Sequence, residues 1–144
     1  MTEQERQYQL QAIKAQLTKD KSQVQNRINE LTREKNNEIE LENDNYCKRK
    51  REMLSAVNTV RSGKYADGVD ELRRMEIEDE ARSKERDLGM LRAEHERTLH
   101  IINNRYHARR TILEEEKRKL QDVYEEEKAA LMRPEIQTPE DNDL

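Results

Sequence analysis

Three histidines, one cysteine and a Ser-Gly-Lys step are the residues of this chain whose types could do chemistry. His95, His100 and His107 form neither the HExxH spacing of a zinc protease nor a Cys/His cluster with zinc-site spacing. His100 and His107, seven apart, share one side of a helix and read as solvated imidazoles. His95 falls on an apolar stripe, where it reads as a polar layer opposite Lys35. Cys47, beside Tyr46, reads as a small semi-buried filler, because a free thiol packs like a small hydrophobe. A single cysteine leaves no internal disulfide and fits a reducing compartment. Ser62-Gly63-Lys64 matches the end of a phosphate-binding loop but lacks its first glycine and the preceding strand. No nucleophile stands with a base and an orienting group. The residues therefore imply no catalytic site, no cofactor, no metal and no small-molecule substrate.

Charge is the next candidate. The run Lys48-Arg49-Lys50-Arg51 fits a nuclear-import or nucleic-acid pattern, and Arg105, Arg109 and Arg110 make a lesser group flanked by Glu114–Glu116. Neither has the interleaved aromatics of a single-strand binder. The 28 basic and 32 acidic residues give a net charge of −4 and are mixed at short range, which makes a zwitterionic surface rather than a polyanion-binding one. Nucleic acid is accordingly the secondary expectation. The polar start MTEQERQYQLQ reads as no signal peptide, and no apolar run is long enough to span a bilayer. The expected location is cytoplasmic or intracellular, in a host cytoplasm or virion if the protein is viral.

What positions these residues is an apolar period. Leu10, Ile13, Leu17, Val24, Ile28, Leu31, Ile39, Tyr46, Met53, Val57 and Val60 recur in steps of threes and fours. Read backward, Leu131, Tyr124, Leu120, Leu113, Tyr106, Ile102, Leu99, Leu91, Leu88, Ala81 and Ile77 do the same. Charged residues at 42% against 32% hydrophobic would permit disorder, but disorder carries no period. With scarce Gly and Pro and no Phe or Trp, the composition is that of a coiled coil. The fold class is all-α, a long antiparallel two-helix coiled-coil hairpin. Its first helix covers about 3–61, its turn 62–68 and its second helix about 69–132. Thr2 and Glu5 have capping-box spacing, Gly63 suits a left-handed C-cap, and Asp67 suits the second helix's N-cap. The domain is 1–133; the acidic, proline-containing 134–144 reads as an extended or disordered tail.

The mirrored stripes predict a register in which facing residue numbers sum to about 130. Leu10 then meets Leu120, Leu17 meets Leu113 and Met53 meets Ile77, while Lys21 faces Arg109 and Lys48–Arg51 lie beside Glu78-Asp79-Glu80. Spacings of eleven (Leu17, Ile28, Ile39; Leu91, Ile102, Leu113, Tyr124) give about 3.67 residues per turn and predict a nearly straight rod.

The second helix carries another stripe on the same period: Met90, Ile101, Ile112 and Val123. Lying about 100° from the first, it cannot also face the first helix. It predicts a docking face for a protein partner or a second copy. At the turn, Lys64 and Tyr65 place an amphipathic ring at the hairpin tip, a further candidate contact. No motif identifies a family. The functional expectation is a non-enzymatic structural or assembly protein, a strut, scaffold or adaptor in a virion, secretion or cytoskeletal complex. The alternative is a nucleic-acid-associated coiled coil using the basic groups.

Overall fold

A computed structural model describes residues 1–133 of the chain, so the proline-containing tail lies outside the described residues. Two helices, α1 (Glu3–Ser62) and α2 (Glu71–Met132), pack against each other as an all-α helical hairpin. The described residues include no strand. The capping box is formed as expected. The Glu5 amide donates to Thr2 Oγ1 at 3.1 Å, and the Thr2 amide donates to Glu5 Oε2 at 3.3 Å. These bonds satisfy donors that the first helical turn leaves open.

The turn differs in its chemistry. Gly63 does not adopt the left-handed conformation; Gly68 does, with φ of 82°. Instead α1 ends by tightening, with the Gly63 amide donating to the Val60 carbonyl and the Lys64 amide to that of Arg61. Helix α2 is capped by Asp70, not Asp67: Asp70 Oδ1 accepts from the Arg73 amide at 2.8 Å. The left-handed Gly68 reverses the chain ahead of that cap, which delays the start of α2 to Glu71.

The chain forms two compact units, one of Met1–Leu31 with the chain from Ala108 onward, the other Thr32–His107. In the first unit Val24, Ile28 and Leu113 are buried together, with Leu31 and Leu120 packed on them. Lys21 bonds Gln121, Lys117 Nζ donates to Gln25 Oε1 at 2.9 Å, and Arg27 pairs with Glu116 at 3.1 Å. In the second unit the buried residues are Val57, Ile77, Ala81, Leu91, Ile102 and Tyr106. Ala81 is the most enclosed, with no exposed surface.

These contacts correct the register. Lys21–Gln121, Gln25–Lys117, Ile28–Leu113 and, in the other unit, Tyr46–His95 sum to about 142, not 130. The displacement is about eleven residues, one full repeat of the apolar pattern. Leu113 therefore packs with Ile28 instead of Leu17, and Lys21 meets Gln121 instead of Arg109. The shift also carries the first turns of α2 beyond the last turn of α1. Leu72 and Met75, about 140–160° around α2 from the buried Ile77, are exposed.

Candidate functional site

Within the second unit, the polar centre of the seam is built from three side chains. Tyr46 on α1 and His95 on α2 stack with ring centroids 4.0 Å apart and planes 5° from parallel. His95 Nδ1 lies 3.1 Å from Glu42 Oε1, and both side chains are largely enclosed, His95 at 11% exposure. The partner of His95 is thus Glu42 with Tyr46, not Lys35. A neutral imidazole can donate from Nδ1 to the carboxylate, and a protonated one makes a charge-assisted bond of the same geometry. A small cavity of about 90 Å³ beside them is lined by Asn45, Arg49, Glu94 and Thr98 as well.

About three turns further along α2, Tyr106 Oη donates to Glu38 Oε2 at 2.6 Å, and Arg105 pairs with the same carboxylate. The bond to Glu38 raises the Tyr106 hydroxyl above its ordinary range, because ionising it would place two anions together. Glu38 in turn holds the Arg105 guanidinium charged. These groups fasten the helices to each other, so Arg105, although exposed, is engaged by a carboxylate of the seam.

The basic run is placed differently from the expectation. Lys48, Arg49, Lys50 and Arg51 are all exposed, and among the described residues no carboxylate forms an ion pair with them. Glu78 is taken by Arg61 at 3.2 Å and Lys64 at 3.3 Å. Four consecutive helical residues point about 100° apart, so the run fans around α1. Lys50 lies over the Tyr46 ring at 5.9 Å, and Arg51 Nε donates to the Cys47 carbonyl. Cys47 itself is exposed rather than semi-buried, since it follows Tyr46 and is turned away from the seam that Tyr46 occupies.

At the turn, Lys64 and Tyr65 are brought against α2. Lys64 reaches Glu78, and the Tyr65 ring has Lys64 Nζ at 5.7 Å and the Arg74 guanidinium at 5.4 Å. Tyr65 remains 75% exposed, held by cations on an otherwise open ring. Arg61 and Lys64 keep the Glu78 carboxyl below its usual range, the hydrogen bond from Lys64 contributing most. Arg74 Nε is buried without a hydrogen-bond partner among the described residues.

The outward residues of α2 are where the apolar period placed them. In the second unit Met90 is 69% and Ile101 62% exposed; in the first, Ile112 is 67% and Val123 51% exposed. Their sequence neighbours Leu91, Ile102 and Leu113 are buried, as a step of about 100° requires. Tyr8, Leu41, Leu72 and Met75 are further exposed apolar residues that the stripes did not single out. Among the described residues no group of three or more His, Cys, Asp or Glu side chains could hold a metal ion, and no helix is long and apolar enough to cross a membrane. No protein-family model, curated protein or solved structure matches this chain.

Proposed function

We propose that this chain is a non-enzymatic structural or assembly protein that docks other protein through the outward face of α2. One observation carries the reading. Met90, Ile101, Ile112 and Val123 are large aliphatic side chains at a fixed eleven-residue spacing, and each is more than half exposed while its next neighbour enters the core or, at Tyr124, its margin. Scattered aliphatics on a surface need no explanation, but a regular row does, because rows of that kind are how helices recognise one another. As an assembly component the chain would act as a strut, scaffold or adaptor in an intracellular or virion complex.

The test replaces all four with lysine and follows the chain in its native source. The variant should keep wild-type helicity, since these side chains leave the seam untouched, and should lose its stoichiometric partners on purification. Retention of the same partners by the quadruple variant would overturn the reading.

A second reading has one observation in its favour: Lys48–Arg51 carry no neutralising ion pair among the described residues. Nucleic-acid binding through them would fall steeply with added salt. Retardation of DNA or RNA that Lys48→Glu/Lys50→Glu abolishes supports it; no retardation at low salt removes it.

A further inference from the structure

Resting on the docking reading above, we propose that the outward patch of the second unit binds a second copy of this chain, antiparallel, with Met90 over the partner's Ile101. Between Met90 and Ile101 the same face carries the exposed Glu94 and Arg97, with Asp87 and Arg105 at its ends. Successive positions at about 100° per residue keep Asp87, Met90, Glu94, Ile101 and Arg105 within one narrow sector, with Arg97 at its margin.

This patch reads the same in reverse with its charges inverted. Turned end over end, Met90 falls on Ile101, Glu94 on Arg97, and Asp87 beside Arg105. Two copies related by a two-fold axis therefore offer each other apolar against apolar and acid against base, every contact being made twice. A parallel pairing would set Glu94 against Glu94 and Arg97 against Arg97. A second, independent observation supports the match. Glu94, Arg97 and Asp87 are exposed, and among the described residues none of them has an ion-pair partner in its own chain. Their neighbours Arg92 and Glu96, on another face, do pair with each other. Arg105 is committed to Glu38, so Asp87 meets a shared guanidinium and Glu94–Arg97 is the decisive pair. Four apolar side chains make a small interface, and the association should be weak and reversible.

The pairing predicts an unusual pattern of variants. Glu94→Arg places two arginines opposite each other, and Arg97→Glu two glutamates, so each variant alone should lose association. Mixed together, the two should associate again. The substituted positions of the two copies then oppose each other with opposite charge, and the unaltered Arg97 of one copy meets the unaltered Glu94 of the other. Sedimentation equilibrium of the full chain at rising concentration reads this directly. The wild-type average mass should climb from 17.3 kDa towards twice that value, each single variant should stay at the monomer mass, and the equimolar mixture should climb again. A wild-type mass that stays at the monomer value throughout overturns self-association while leaving docking to another protein intact. A wild-type dimer that both charge variants retain overturns the antiparallel pairing. If Met90→Lys/Ile101→Lys also retains that dimer, the patch is not a docking face, and the reading beneath the proposal fails in this unit as well.

Discussion

At the scale of the residue, the most instructive positions are the glycines. A methyl group built on Gly89 meets nothing within 4 Å, and Gly89 lies inside a long helix with ordinary helical backbone. Gly89→Ala should therefore stabilise the chain by about 1 kcal/mol, through lost freedom of the unfolded chain and better helix propensity. Gly68 also has open space around it, yet its φ of 82° is a conformation that a side chain resists. Gly68→Ala should cost about 1–2 kcal/mol, and thermal melts of the two variants should move in opposite directions. The sequence predicts a left-handed glycine in this turn at Gly63, and the structure has it at Gly68. Both glycines satisfy the composition rule, and the choice is made by where the α1 carbonyls find donors. With Val60 and Arg61 carbonyls already satisfied by a tightened last turn, the reversal passes to Gly68. The same holds at His95, whose place on the seam was legible, whereas its partners Glu42 and Tyr46 depended on the register.

At the scale of the element, register is the property that decides which side chains meet. Oxidising an Ile28→Cys/Leu113→Cys variant in a Cys47→Ser background should give an intramolecular bridge, read by its mobility on a non-reducing gel. Leu17→Cys/Leu113→Cys should not. The reverse result would restore the register summing to about 130. The helices themselves were legible because a 3.6-residue period survives any registry, and their ends lie within two residues of expectation. Register was not legible for the same reason. An apolar pattern that repeats every eleven residues looks unchanged when one helix slides by eleven, so stripes alone score both alignments alike. What breaks the degeneracy is the seam chemistry, Lys117 with Gln25 and Arg27 with Glu116 in one unit, Arg61 and Lys64 with Glu78 in the other. Glu78 tests that last contact. Its carboxyl is lowered in the folded chain, so its contribution is present above the ordinary carboxylate range, about pH 4.3, and is lost as pH falls through the folded value. Glu78→Gln should lower the melting temperature at pH 7, and the offset should shrink as pH falls below about 4.3. An offset that does not shrink would show that Glu78 acts by packing rather than charge.

At the scale of the whole molecule, the proposed self-association would be coupled to stability in one equilibrium. The described core consists of Val24, Ile28 and Leu113 in one unit and six residues in the other, and no large side chain is fully enclosed. Large apolar surface is meanwhile left outside at Met90, Ile101, Ile112 and Val123. Anything that binds only the folded form of such a chain raises its stability by mass action. If the bound species is a second copy, the melting temperature must rise with protein concentration. Above the dissociation constant each tenfold increase in protein concentration adds about 1.4 kcal/mol per mole of dimer, about half that per chain. Ile101→Lys should remove that dependence without changing helicity or the melting temperature of the dilute protein, because Ile101 leaves the seam untouched. Salt supplies the second axis. Raising ionic strength screens Glu94–Arg97 contacts between copies but not the apolar ones, so the concentration dependence should weaken without disappearing. A melting temperature that is flat in wild-type concentration would separate the stability of the hairpin from self-association. Docking to a different protein would then be what the proposal retains for Met90 and Ile101.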